Sequence, residues 1–307
     1  MRATYLRCIM LMFNKQTIFL GGLLLGVAFF LGGCLQFRET SYVVRSHFTA
    51  KQLRPHLGFY RSVGRNVRYV AVGNDSLPTV VFLHGSPSSL SYFKDYLDDS
   101  LLLSKAKLYA VDRPGYGYTS GFGKPMTSIA KQAEVVRFLL DSVRTSQRPI
   151  ILVASSYGTS VACRVAMDYP DLVDGLVLSA PALAPGEEYI YPITHWTKKG
   201  FMKFCMPLPI RTANAEKLSH KDELTEMLPL WSNIRVPVAY FQGAEDKLIF
   251  TTNAKFAQQM LGPNLIEMCM FPGCDHFITQ PKHVRITESI YSILDAAYEC
   301  SPNIQHN

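Results

Sequence analysis

An α/β protein built on a mostly parallel central sheet, with helices on both faces, is the fold class this sequence predicts, and three observations predict it. From Val67 onward, apolar runs of strand length alternate with stretches of helical period. Several of those runs are continuous rather than alternating, as strands buried on both faces require. The 307 residues, 48% hydrophobic and 12% aromatic, suffice to close one large core.

The chain opens on a segment that does not belong to that core. Arg2, Arg7 and Lys15 precede Gln16 to Phe37, 22 residues without a charge. Residues 1–33 therefore read as a signal peptide or membrane anchor. The segment runs into Leu31-Gly32-Gly33-Cys34, an aliphatic residue and two small ones before a cysteine. This resembles the lipobox of bacterial lipoprotein signal peptides, which implies lipidation of Cys34, a membrane partner through the N-terminus and a place in the cell envelope. An uncleaved signal anchor fits the same stretch, since about 20 apolar residues span a bilayer, and a misassigned start is a third reading. Residues 34–65 are polar and read as a linker or extension.

Strand candidates then follow at Val67 to Val72, Thr79 to Leu83, Lys107 to Val111, Ile150 to Ala154, Gly175 to Ser179, Val236 to Phe241 and Leu265 to Phe271. Helical patterns fall at Ile129 to Val143, Tyr157 to Met167, Thr252 to Met260 and His283 to Ala297. One interval breaks the alternation. Residues 183–231 are too long for an ordinary connection of about 2–6 residues. They read as a largely helical cap inserted after the sixth strand. Tyr189, Tyr191, Trp196, Phe201, Met202, Phe204 and Met206 either line a pocket there or fasten the cap to the core. The catalytic core is thus 66–182 and 232–300, and 301–307 form a tail.

The net charge of +7 carries little functional information, because three of the basic residues, Arg2, Arg7 and Lys15, lie in the N-terminal segment and the rest are scattered without a Lys/Arg run. No nucleic-acid partner is implied. Once Cys8 and Cys34 are set aside, Cys163, Cys205, Cys269, Cys274 and Cys300 remain. Their spacing matches no metal knot, and no essential disulfide is expected although Cys269 and Cys274 could pair.

The chemistry concentrates in Ala154-Ser155-Ser156-Tyr157-Gly158. A serine acts as a nucleophile when a base takes its proton and a sharp strand-to-helix turn exposes it, and residues two before and two after must then be small. Around Ser156 those positions are Ala154 and Gly158; around Ser155 they would be Val153 and Tyr157. Ser156 is therefore the candidate. A buried-strand run precedes it and Thr159 to Met167 opens a helix after it, the context that gives the pentapeptide its meaning.

Four further segments complete the pattern. His84-Gly85-Ser86-Pro87 follows the second strand candidate, Asp112-Arg113-Pro114-Gly115-Tyr116-Gly117 the third, and the last two end in Gln242-Gly243-Ala244-Glu245-Asp246 and Pro272-Gly273-Cys274-Asp275-His276. Together these resemble the α/β-hydrolase superfamily. The resemblance implies the order Ser156, Asp246, His276 for nucleophile, orienting acid and base, with Glu245 and His283 as weaker competitors. It places an oxyanion hole at the backbone N–H groups of Ser86 and Tyr157 and gives the D-R-P-G-Y-G turn a structural role. The implied activity is hydrolysis of a small to medium apolar carboxylic ester through an acyl-enzyme, without cofactor or metal. Ser86 stands where aminopeptidases resembling proline iminopeptidase usually have a second Gly, and that group and the carbon–carbon bond hydrolases remain alternatives. A non-catalytic surface-binding lipoprotein is the reading from a different class.

Overall fold

The structure, a computed structural model, describes residues 37–145, 148–196 and 206–300. The segment expected to be a signal peptide or anchor, Cys34, Phe201, Met202, Phe204, Cys205 and the expected tail lie outside the described residues. Among those described, no helix is long and apolar enough to cross a membrane.

In chain order the regular elements are α1 (Ser41–Ala50), β1 (His56–Ser62), β2 (Arg65–Val72), β3 (Thr79–Leu83), α2 (Lys94–Leu97), α3 (Ser100–Lys105), β4 (Lys107–Val111), α4 (Ile129–Val143), β5 (Ile150–Ser155), α5 (Tyr157–Asp168), β6 (Gly175–Ser179), α6 (Pro192–Trp196), α7 (Leu208–Met227), β7 (Val238–Gly243), α8 (Thr252–Leu261), β8 (Leu265–Phe271) and α9 (His283–Cys300). The strands form one eight-stranded sheet in the order β1-β2-β4-β3-β5-β6-β7-β8. β1 and β2 run antiparallel, as do β2 and β4; every other neighbouring pair is parallel. The chain has the α/β-hydrolase fold.

Strand periodicity of two sorts the central residues between the layers. Val81, Leu83, Leu152, Ala154, Leu176 and Leu178 face α4, α5 and α8. Val80, Phe82, Ile151, Val153, Val177 and Phe241 face α1, α2 and α9. β3, β5, β6 and β7 are buried along their whole length, which is why they read as largely apolar runs. Because β3 to β8 are mutually parallel, the loops that leave their C-terminal ends all emerge along one edge of the sheet, and that edge carries the candidate site.

Within the stretch expected as a linker or extension, residues 41–50 and 56–62 form regular structure. Thr40 caps α1 by accepting the Val43 N–H at 3.2 Å, and the helix sinks Val44 and Phe48 completely into the core. β1 then pairs with β2 from His56↔Ala71 to Ser62↔Arg65. The sheet therefore begins ten residues before the expected core boundary. As an edge strand β1 is mostly half-exposed, and His-Leu-Gly-Phe-Tyr-Arg-Ser carries no apolar run to announce it.

If residues 41–62 belong to the fold, Phe48→Ala removes a buried aromatic and lowers stability by about 3–5 kcal/mol, read from chemical denaturation. Tyr42→Ala, on the exposed side of the same helix, stays within about 0.5 kcal/mol of the wild type.

Candidate active site

β5 runs into Ser156 at φ 52° and ψ −127°, a conformation that costs a non-glycine residue about 1–3 kcal/mol. The turn is held by the Ser156 N–H, which donates to the Ser179 carbonyl at 2.9 Å. It is also held by α5, which starts at the next residue and is buried nearly all round. A Cβ at Gly158 would stand 2.4 Å from the Leu83 carbonyl and 2.7 Å from that of His84, so only glycine lets α5 pass this close to the end of β3. Ser155 points inward instead, with its hydroxyl 3.0 Å from Thr279 Oγ1.

His276 Nε2 lies 3.0 Å from Ser156 Oγ, and its Nδ1 lies 2.8 Å from Asp246 Oδ2. The carboxylate only accepts, so Nδ1 carries the proton and Nε2 is left to take the serine hydroxyl's. Asp246 Oδ1 accepts the N–H groups of Leu248 and Ile249, each at 2.9 Å. Burial alone would raise the Asp246 pKa, but His276 and the two amides outweigh it and hold the carboxyl below its ordinary range. A Cβ at Gly243 would lie 2.0 Å from the Asp275 carbonyl, so this glycine lets the Asp246 turn and the His276 loop cross.

The competitors stand elsewhere. Glu245 is exposed, Asp275 caps a local turn by accepting the Phe277 N–H at 2.9 Å, and His283 packs edge-on against Tyr96 with ring centroids 4.2 Å apart. Tyr189 and Tyr191 form a T-shaped pair on the surface. Cys163, Cys269 and Cys274 are free thiols.

Ser86 and Tyr157 sit at the end of β3 and the start of α5. Around them lies a buried polar cluster that the sequence reading did not include. Arg113, 1% exposed, donates through Nε to the His84 carbonyl at 2.7 Å and through Nη2 to the Gly85 carbonyl at 3.0 Å. Its Nη1 donates to Gln132 Oε1 at 2.7 Å and to Glu216 Oε1 at 2.9 Å. Glu216, on α7 of the cap segment and fully buried, also accepts from the Tyr116 hydroxyl at 2.6 Å and from the Ser86 hydroxyl. Burial works against the Arg113 charge, yet Glu216 and Tyr116 more than offset it and raise the pKa. Four residues along α7, His220 joins Ser160 Oγ and Glu188 Oε1, each at 2.9 Å. Burial would lift the Glu188 pKa, and His220 and Lys217 lower it below the ordinary value instead. A charged or polar helix residue reads as surface in a sequence, so nothing in the pattern singles out Glu216 or His220.

Residues 78–207 match the family described as the alpha/beta hydrolase fold. Among curated relatives, an uncharacterised hydrolase of Saccharomyces cerevisiae is 30% identical over 114 residues, covering 37% of this chain and 38% of its own. A human monoacylglycerol lipase is 28% identical over 203 residues, covering 61% of this chain and 57% of its own. The chain thus spans less than two thirds of the length of these relatives. The solved structure of a bacterial membrane phospholipase A superposes with a TM-score of 0.60 at 17% identity, over 98% of this chain and all of that one; at that identity the likeness is one of fold.

Because Asp246 is held below its ordinary pKa, its contribution to stability is complete above about pH 4 and is lost as pH falls through its folded value. Asp246→Asn should therefore flatten the decline in melting temperature as pH falls below about 4, followed by circular dichroism, relative to the wild type.

Proposed function

We propose that this chain is a serine-dependent carboxylic-ester hydrolase of the α/β-hydrolase superfamily, and the observation that carries the reading is the hydrogen-bonded line Ser156 Oγ, His276, Asp246. His276 Nε2 takes the Ser156 hydroxyl proton as Oγ attacks the acyl carbon. The carbonyl oxygen becomes an oxyanion, held by the N–H groups of Ser86 and Tyr157 and by the positive end of α5. The imidazolium, steadied by Asp246, then gives its proton to the departing alkoxide and leaves an acyl-enzyme. Water, deprotonated by the same nitrogen, attacks that ester, releases the carboxylic acid and restores Ser156.

A serine nucleophile suits acyl transfer, and a human relative named a monoacylglycerol lipase supports an ester as the substrate class. The N-terminal segment adds a second part to the proposal, attachment to a membrane of the cell envelope through lipidated Cys34. What supports the lipidation is the run Leu31-Gly32-Gly33-Cys34; the point at which the chain enters the fold bears on the orientation it would give. Arg38 lies over the rings of Phe122 and Tyr118, at 3.8 and 4.6 Å from their centroids, and donates to the Gly117 carbonyl at 3.3 Å. Those residues belong to the loop after β4, on the edge of the sheet that carries Ser156. A chain tethered just before Phe37 would keep that edge toward the bilayer.

A fluorophosphonate probe should label the wild type and leave Ser156→Ala unlabelled; an unlabelled wild type refutes the acyl-enzyme mechanism. Among p-nitrophenyl esters and aminoacyl-naphthylamides, esters should turn over faster. Ester rates below about one-hundredth of the amide rates, a difference of about 2.7 kcal/mol in barrier, would assign the chain to the aminopeptidases. For the N-terminus, mass spectrometry of the mature protein should find acylated Cys34 as its first residue.

A further inference from the structure

We infer that Glu216, delivered by cap helix α7, is a positioning residue for the proposed oxyanion hole: through Arg113 it fixes the Gly85–Ser86 peptide, so the hole is complete only with the cap seated. The inference rests on the acyl-transfer reading of Ser156.

The geometry begins with one carbonyl. In a trans peptide the C=O and the following N–H point in opposite directions, so whatever pins the Gly85 oxygen also aims the Ser86 N–H. Two donors pin it. Arg113 Nη2 donates at 3.0 Å. His84, fully buried, accepts the Arg113 N–H on Nε2 at 3.0 Å, which leaves its proton on Nδ1 to donate to the same oxygen at 2.7 Å. On the opposite side the loop lies against the nucleophile, for a Cβ at Gly85 would stand 2.9 Å from Ser156 Cβ and 3.6 Å from its Oγ.

Arg113 in turn depends on the cap. Its guanidinium is buried, and the only carboxylate among its described partners is that of Glu216, at 2.9 Å from Nη1 and 3.4 Å from Nη2. Glu216 also receives Gln132 Nε2 at 3.1 Å, the Tyr116 hydroxyl at 2.6 Å and the Ser86 hydroxyl. A carboxylate has acceptor sites for all of these donors; a carboxamide does not, because one of its ends is itself a donor. Lifting α7 would leave Arg113 buried without its counter-charge and the Ser86 loop without its outer support. Charge burial thus couples the cap to the loop.

The test compares Glu216→Gln with Glu188→Gln. Glu188, near the start of the same inserted segment, pairs with Lys217 and His220 of α7, both at 2.9 Å, with no contact to residues 84–86 in its hydrogen bonds. In Glu216→Gln, kcat on a p-nitrophenyl ester and the rate of fluorophosphonate labelling should each fall about 10- to 100-fold, part of the about 10²–10³ that loss of one oxyanion donor brings. KM should hold, and affinity for a trifluoromethyl ketone, which forms the oxyanion on Ser156, should fall in parallel with kcat. Glu188→Gln should keep kcat within about threefold of the wild type. A Glu216→Gln protein that labels at the wild-type rate, that changes KM alone, or that loses no more activity than Glu188→Gln overturns the inference while wild-type labelling leaves the Ser156 mechanism standing. Should Glu216→Gln fail to fold, Glu216→Asp, which keeps the charge and shortens its reach, takes its place in every comparison.

Discussion

A serine at φ 52° is out of place for an L-residue, and most of the molecule is arranged so that it can stay there. The turn is clamped from below by β5, whose six residues are all buried, and from above by α5, which packs Val161, Cys163 and Val165 without exposure. The Ser156 N–H is tied to β6 through the Ser179 carbonyl. Loosening any of these would let the backbone relax and withdraw the hydroxyl. The about 1–3 kcal/mol stored at such a residue is modest beside the apolar burial of the two layers around it.

Once that turn is fixed, the parallel ladder delivers the remaining groups. β6 pairs β5 and β7 pairs β6 in register from Leu176↔Val238 to Ser179↔Phe241, and β8 follows β7 to Gly243↔Phe271. Acid and base therefore leave adjacent strands at the same height, and Gly243 lets the two loops approach closely enough for the 2.8 Å hydrogen bond to form. A local contact among three side chains is thus a consequence of strand register, although Ser156 and His276 are 120 residues apart in sequence.

The parts of this arrangement that were legible in the sequence are those whose burial is uniform. β3, β4 and β6 fall on the residues where apolar runs predict them, because a strand covered on both faces must be apolar nearly throughout; β8, an edge strand with no buried residue, is predicted by a run that Glu267 interrupts. β7 lies two residues later than its run suggests, since Pro237 cannot donate to the ladder and Gln242 and Gly243 complete it. α1 and β1 are half-covered and polar, so they resemble a linker until the partner strand is known. The buried face of α7 was illegible for a different reason. Thr212, Glu216, His220, Leu224 and Met227 lie on it at helical spacing, but the first three are polar, and a stripe of that composition has no amphipathic signature.

That polar face has a physical purpose distinct from adhesion. Replacing buried ion pairs with apolar groups is often neutral or stabilising, so a pair such as Arg113–Glu216 is weak evidence for stability and better evidence for a defined register. An apolar helix could slide or rotate over the site with little loss. A carboxylate that must meet a guanidinium, a phenol, an amide and a hydroxyl at once can sit in one place only. With Glu216 so placed and His220 four residues on, held between Ser160 and Glu188, α7 is fixed in both translation and rotation. The lower half of the helix, Leu224 and Met227, then joins the apolar cluster that contains Val161 and Trp231, so the same element is set by polar contacts at the site and by apolar packing away from it.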